Sequence, residues 1–505
     1  MKIVTRIKTI SAVLVGLIAY KTFKIYLMRR KYKHIPGPKT KGILEFFIGQ
    51  YITINKYTSQ NKVIGQLQQE WAKIYGPVYV YQFFDEMVCI CNEEEAVKMA
   101  LIDKDLPKSN DVYHMIGFPF GERFMGNGLL TELNLKRWRH RRSLFNHGFK
   151  KSVLVESLAQ FNTKGNLLVK KLYSMSNNEE SFSIFYEFNR MTLDVIAKVQ
   201  VAFDLDIDSI NDNGSKLSYF VTKSMEAITT IYNDPFAEFK PSKRELIKEI
   251  KKSIQNLRKF SKEKLSEKLK ELEVSESESI NILSAVLKHA KESDEIDFEI
   301  LLDDFITFFV AGQETTANAL SFCIFELGQN ERVLKKLNEE IDTVLGQKQE
   351  ITEDDLSKLI YTTSVLKEAL RKWPPAPDFI RYPPEDIFIG NYNIPKNTLI
   401  SVAPFQLGRN EKYFPKPEEF IPERFISDDP FSKQNKITSY TYFPFSLGPR
   451  NCIGQNFAML EGKLVLAKFI QHFQFKLDPN QSFGITESAT LRPIDGVKVF
   501  IKPKF

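Results

Sequence analysis

Phe445-Ser446-Leu447-Gly448-Pro449-Arg450-Asn451-Cys452-Ile453-Gly454 is a turn-rich segment that feeds directly into an apolar helical pattern, Gly454 to about His472. Two glycines flank one cysteine. Gly448 and Gly454 let the backbone approach a bound group closely, and the start of the following helix offers free N–H groups at the positive end of its dipole. Arg450 adds a further positive charge. A cysteine in such surroundings ionises and binds metal. Taken alone, Cys452 would read as a small buried thiol. The segments that accompany it decide otherwise.

A helix over Tyr361 to Lys372 stops at Pro374-Pro375, and within it Glu368 and Arg371 stand three apart on one face, able to form an ion pair. A second arginine, Arg424, sits in Pro422-Glu423-Arg424-Phe425. A long helix, Phe298 to Leu327, is apolar on most faces through Phe305 to Ala311 and therefore runs through the centre of the fold. Ala311-Gly312-Gln313-Glu314-Thr315-Thr316 puts an acid and two hydroxyls into it. Gly312 weakens the helix and Thr315 competes for backbone carbonyls, so a local distortion that opens a groove for dioxygen and water is expected there. In Trp138-Arg139-His140-Arg141-Arg142, Arg142 suits bidentate carboxylate recognition and Trp138 offers one N–H. Arg381 follows the proline stop.

Together these stretches resemble the cytochrome P-450 superfamily, whose haem loop reads Phe-x-x-Gly-x-x-x-Cys-x-Gly; all four fixed positions match. Glu368-x-x-Arg371, FIPERF, AGQETT and Trp138-x-x-x-Arg142 occur in the family's order. The resemblance implies a haem-thiolate monooxygenase with haem b bound through Cys452, and with Phe445, Gly454 and Ala311 lining the haem. Trp138, Arg142, Arg381 and Arg450 are the implied propionate contacts. Glu368, Arg371 and Arg424 would hold the proximal side structurally. Thr315 and Glu314 would be the catalytic alcohol and acid, serving oxygen binding and proton delivery, with thiolate donation assisting.

Longer stretches, HIPGP at His34, GERFMGNGL at Gly121, FVAGQETTAN, TYFPFSLGPRNCIGQNFA and the tail from Phe483 through Ala489-Thr490-Leu491-Arg492-Pro493, resemble the cholesterol 24-hydroxylase family. A sterol side chain is thereby the expected substrate, with fatty-acid or xenobiotic hydroxylation as alternatives. Gln313 departs from that family's histidine, and Leu205 to Lys240 aligns with no motif. A haem-thiolate isomerase commonly lacks the acid–alcohol pair retained here. A non-catalytic haem- or lipid-binding protein is the remaining alternative class.

Among 505 residues, 43% hydrophobic and 12% aromatic, there is ample material for a core, so general disorder is excluded. The expected fold is mainly α with small β-sheets, a single large catalytic domain over 41–505. Two short strands joined near Asp85 and Glu86 are expected over Val78 to Cys91, and Val274 to Ser279 reads as an exposed loop. Four cysteines, Cys89, Cys91, Cys323 and Cys452, are too few for a disulfide scaffold or zinc module and fit a reducing environment.

The N-terminus carries Lys2, Arg6 and Lys8, an apolar run from Thr9 to Tyr20, and then a basic cluster. Twelve helical residues reach about 18 Å against roughly 30 Å of hydrocarbon, so spanning needs extension to Met28 with Lys21 and Lys24 snorkelling. Residues 1–30 read as a membrane anchor and 31–40 as a proline-rich elbow; a signal peptide is disfavoured because no small-residue cleavage site follows Tyr20. The expected location is the endoplasmic reticulum membrane, with the catalytic domain facing the cytosol. The net charge of +7 is concentrated in Lys136 to Arg142 and the Lys-rich Lys240 to Lys270, without a nucleic-acid recognition module. The expected partners are membrane lipid and an NADPH-dependent flavoprotein reductase with an acidic surface.

Overall fold

Tyr and Val in alternation make Val78–Phe83 (β1) a strand, which turns through Phe84, at φ 53°, into Glu86–Cys91 (β2). The computed structural model describes residues 2–176, 180–201, 212–274, 281–290 and 297–504. They fall into two compact units, Met1–Ser109 with Asp378–Leu407, and Asn110–Pro377 with Gly408–Phe505. The fold is mainly helical with small sheets, as the sequence implies.

In the first unit the helices Lys2–Lys31 (α1) and Ile64–Tyr75 (α2) accompany a four-stranded sheet. Its order is β1, β2, Leu399–Val402 (β4), Phe379–Arg381 (β3), and only the β2–β4 pairing is parallel. Leu67 and Trp71 of α2 pack on Tyr79, Tyr81, Val88 and Ile90 of the strands. The proline-rich elbow is fixed to this sheet: Val80 N–H donates to the Pro36 carbonyl at 2.9 Å, and a Cβ on Gly37 would lie 1.8 Å from the Val80 carbonyl oxygen. Only glycine fits. Cys89 and Cys91 are buried thiols on β2.

On α1, the apolar side chains Val13, Leu14, Val15, Leu17, Ile18, Phe23 and Leu27 are exposed. No helix among the described residues is long and apolar enough to cross a membrane. Lys21, Lys24 and the terminal Arg29 to Lys31 interrupt the apolar run, and the last of these stretches is partly engaged with protein, Arg29 donating to Gln82 at 2.8 Å.

The second unit contains Leu135–Gly148 (α3), Leu158–Met175 (α4), Ile184–Val201 (α5), Arg244–Val274 (α6), Ile282–Ala290 (α7), Phe298–Leu327 (α8), Ile360–Lys372 (α9) and Gln455–His472 (α10). The strands Phe473–Leu477 (β5) and Lys498–Pro503 (β8) pair antiparallel, and Ile485–Ser488 (β6) forms a hairpin with Thr490–Pro493 (β7). The Ser/Glu run from Ser275 to Ser279 and part of the unaligned Leu205 to Lys240 stretch lie outside the described residues.

The Asp297 side chain caps α8 by accepting the Glu299 N–H at 2.8 Å, and the helix is buried along almost its whole length. Its acids Asp303 and Asp304 explain the GERFMGNGL motif. Arg123 and Arg258 each donate to Asp303 at 2.7 Å, Asn127 N–H donates to it at 2.8 Å, and Leu129 N–H and Arg141 donate to Asp304. Gly126, at φ 49°, has no room for a Cβ, which would lie 2.2 Å from the Asp303 carboxylate. Burial pushes Asp304 up to about 6 against the pull of Arg141.

Candidate active site

The cysteine loop closes on itself through one backbone bond: Cys452 N–H donates to the Phe445 carbonyl at 2.8 Å. Ser446, at φ 61°, and Gly448, at φ 72°, take the left-handed conformations that turn the chain back. Gly454 is the residue just before α10. Its φ is −85°, and a Cβ there would meet the Cys452 sulfur only at 3.9 Å.

Cys452 is exposed, yet it sits deep among protein atoms, and that burial pushes its thiol up from the ordinary value. The Gly454 N–H and the Arg142 charge pull the other way without cancelling it. A coordinated cation would complete the ionisation of such a thiol, because a metal-bound thiol is deprotonated outright.

Arg142 of α3 donates from Nη1 to the Asn451 carbonyl at 2.7 Å and from Nη2 to the Asn451 side-chain oxygen at 2.8 Å. Arg450 lies with its guanidinium carbon 3.9 Å from the centre of the Trp138 ring, and it donates to the Glu132 carbonyl at 2.9 Å. Trp138, Arg142 and Arg450 are thus brought together beside Cys452. Arg381 lies in the first unit, buried in β3 and donating to the Ile380 carbonyl at 3.0 Å.

Arg371 donates to both oxygens of Glu368, at 2.7 and 2.9 Å, and Arg424 donates to Glu368 at 3.2 Å. All three side chains are buried, so the pair forecast from spacing alone is a desolvated triad with added backbone partners at Ile421, Glu419 and Lys416.

Across Ala311 to Thr316 the α8 helix runs unbroken, and the expected backbone distortion does not occur. The side chains carry the irregularity instead. The Thr315 hydroxyl donates to the Ala311 carbonyl at 2.7 Å, and Gly312 lets Ile196 approach so closely that a Cβ would lie 2.9 Å from it. Ala311 is exposed and Thr315 half-buried in a helix otherwise buried on both sides of them. Gln313 turns away into the packing with α5: its amide donates to Asn189, and the Thr192 hydroxyl donates to its carbonyl at 2.8 Å. Burial raises the pKa of Glu314, and Thr490 and Arg492 pull it the other way without cancelling that rise.

Phe149 joins the two halves of the site, its ring 5.5 Å from Phe308 on α8 and 6.4 Å from Phe457 on α10. An accessible thiol on a stiff loop, two nearby guanidiniums with an indole, and an exposed alanine and half-buried threonine on a buried helix fit a flat, thiolate-ligated prosthetic group bearing carboxylates. Asn451, Glu132, Asn189, Asp303, Thr490 and Arg492 were not singled out by sequence reasoning, although most lie inside or beside the quoted stretches.

The profile of the family described as Cytochrome P450 matches residues 44–499. The chain belongs to the cytochrome P450 family. Among its relatives, human cytochrome P450 4V2 is 31% identical over 82% of this chain and 80% of its own length. Cytochrome P450 4d2 of Drosophila melanogaster is 27% identical over 97% and 98%, and rat cytochrome P450 4B1 is 27% identical over 98% and 95%. As a cytochrome P450 the chain is a haem-dependent monooxygenase that takes electrons from a redox partner. These relatives lend no support to the sterol substrate expected from the sequence.

Proposed function

We propose that this cytochrome P450 inserts one oxygen atom of dioxygen into an unactivated C–H bond of an apolar lipid, a fatty acid or a sterol, with Cys452 as the thiolate that would hold haem b. The observation that carries the reading is the accessible Cys452 thiol on a loop clamped by Arg142, in the same unit as an α8 helix that keeps both Glu314 and Thr315. When bound, the haem activates dioxygen, with donation from the thiolate easing cleavage of the O–O bond.

The protein's own groups divide the remaining tasks. Phe445, Gly454 and Ala311 line the haem, while Trp138, Arg142 and Arg450 serve its carboxylates. Glu368, Arg371 and Arg424 keep the proximal wall rigid. Thr315 orients a hydrogen bond toward the oxygen substrate and Glu314 carries protons inward. Electrons come from NADPH through a flavoprotein reductase. Residues 1–30, with the exposed apolar face of α1 and its basic end, attach the domain 41–505 to the endoplasmic reticulum membrane on its cytosolic side, and residues 31–40 form the elbow.

The absorption spectrum of the reduced protein with carbon monoxide tests the ligand: a strongly red-shifted Soret band is expected, and it should vanish in Cys452→Ser. A shift that survives the substitution would remove Cys452 from the iron. Turnover of labelled lauric acid against labelled cholesterol separates the two lipid classes. NADPH consumption with no hydroxylated product from either would defeat the lipid assignment.

A further inference from the structure

The last turns of α1 are held by the first unit, unlike the apolar run that precedes them. Ile25, Arg29 and, just past the helix end, Tyr32 recur at helical spacing on one face, and Ile25 and Tyr32 are buried. The Arg29 guanidinium carbon lies 4.5 Å from the centre of the Phe46 ring. Its Nε donates to the Gln82 side chain at 2.8 Å, and its Nη2 to the Phe46 carbonyl at 3.1 Å. The Tyr32 and Thr398 hydroxyls share a hydrogen bond of 2.7 Å, next to the start of β4. Lys24 pairs with Asp85, in the turn between β1 and β2, at 3.2 Å. With the bond from Val80 N–H to the Pro36 carbonyl, these contacts bolt the chain to the sheet from Lys24 to Pro36. On the opposite face of the same turns Tyr20, Phe23 and Leu27, spaced i, i+3 and i+7, are exposed.

We propose that α1 enters the membrane only as far as Tyr20, and that this short insertion makes the protein prefer a thin phospholipid bilayer. The proposal rests on the membrane attachment proposed above for residues 1–30. Thr9 to Tyr20 carries no charge, and from Val13 to Ile18 its large apolar side chains are exposed. Twelve helical residues extend about 18 Å, against roughly 30 Å of hydrocarbon. Insertion as far as Met28 would recover twenty residues and about 30 Å. It would also pull Ile25 out of its packing, part Lys24 from Asp85 and draw Arg29 away from Gln82. The bolt therefore sets the inserted length. A stretch this short is accommodated by thinning the bilayer around it and by snorkelling of Lys8 and Lys21, at a cost that grows with every ångström of mismatch. Tyr20, Phe23 and Tyr26 then sit at headgroup level, where amphipathic rings are favoured, and the exposed Arg30, Lys31 and Lys33 meet anionic headgroups.

The test offers the full-length holoenzyme phosphatidylcholine vesicles with a constant fraction of phosphatidylserine and monounsaturated chains of either fourteen or twenty-two carbons. The parent should bind the thin vesicles several-fold better than the thick ones. Arg29→Ala combined with Tyr32→Phe releases the bolt and should bring the two affinities together. An intact carbon monoxide spectrum confirms that the variant keeps its haem domain. In a second measurement, an environment-sensitive fluorophore on Leu27→Cys should be quenched by lipids labelled at the headgroup and not by lipids labelled in mid-chain. Equal binding at both thicknesses, or mid-chain quenching at position 27, overturns the short insertion while the attachment stands. A thin-bilayer preference that survives unchanged in the double variant removes the bolt as its cause. Failure to bind either vesicle removes the attachment, and the short insertion with it.

Discussion

Arg142 grips Asn451 twice, at its carbonyl and at its side-chain oxygen, and so clamps the residue that precedes Cys452. A guanidinium makes this two-point contact with a fixed fork, which a lysine cannot reproduce. Arg142→Lys should lower the haem-to-protein ratio after purification and cost about 1–3 kcal/mol of stability, the range of a hydrogen bond to a charged group. Asn451→Ala should resemble it in haem retention. Retention equal to the parent in both variants would show that the clamp does not matter.

The Glu368 carboxylate is the shared acceptor of two fully buried arginines. Replacing it by glutamine leaves two guanidiniums desolvated without a counter-charge, at a cost of about 3–5 kcal/mol. Glu368→Gln is expected to yield little soluble haem protein, whereas Thr363→Ala on the same helix should behave like the parent. Comparing soluble yield and thermal midpoints checks this.

The cysteine loop, the Glu368–Arg371 pair and the bounds of the α8 helix were legible in the sequence because each depends on short-range spacing. The helix forecast over Phe298 to Leu327 has those bounds in the structure. What could not be read were partners supplied from far along the chain. Thr490 meets Asn318 across 172 positions and Arg141 meets Asp304 across 163. Nor does spacing reveal side-chain direction: Arg141 counted as one more surface charge, and Gln313 as a neighbour of the oxygen site. Hydropathy could not foresee an unbroken backbone at Thr315 either, since a hydroxyl that donates four residues back need not break the ladder.

Gln313 packs against Asn189 and accepts a hydrogen bond from Thr192 through its carbonyl, so its side chain belongs to the α5–α8 interface. Gln313→Ala loses the Asn189 contact and leaves Asn189 Oδ1 only the longer bond from the Ser218 hydroxyl, at a cost of about 1 kcal/mol. The pH profile of turnover should stay where it is. A displaced profile at unchanged stability would place Gln313 in proton transfer instead.

Glu423 gathers Arg332, Lys336 and the Tyr361 hydroxyl. Burial alone would raise its carboxyl, but the two cations outweigh burial and bring it from 4.5 to about 2. A depressed folded value contributes stability above pH 4.5 that is lost as pH falls toward 2. Both cations are about half exposed, so solvent screening reduces the effect to about 1–2 kcal/mol. Glu423→Gln should therefore melt earlier than the parent at neutral pH, with the gap narrowing as the solution is acidified below pH 4.5. A gap independent of pH would locate the effect in packing.

The basic run on α3 divides into two kinds of charge. Arg141 is 12% exposed and bound to Asp304 and Glu132, while Lys136 and Arg139 are exposed. Only the second kind can steer an acidic reductase without disturbing the fold, because exposed charges act through a field that salt screens over about 10 Å at 0.1 M. Lys136→Glu with Arg139→Glu should slow reduction about tenfold at low ionic strength, leave haem content intact, and converge with the parent as salt is raised. Arg141→Glu should instead face Asp304 and Glu132 with a third acid and fail to fold. Stopped-flow reduction across a salt series separates these cases, and rates that respond neither to the double substitution nor to salt would move the reductase to another surface.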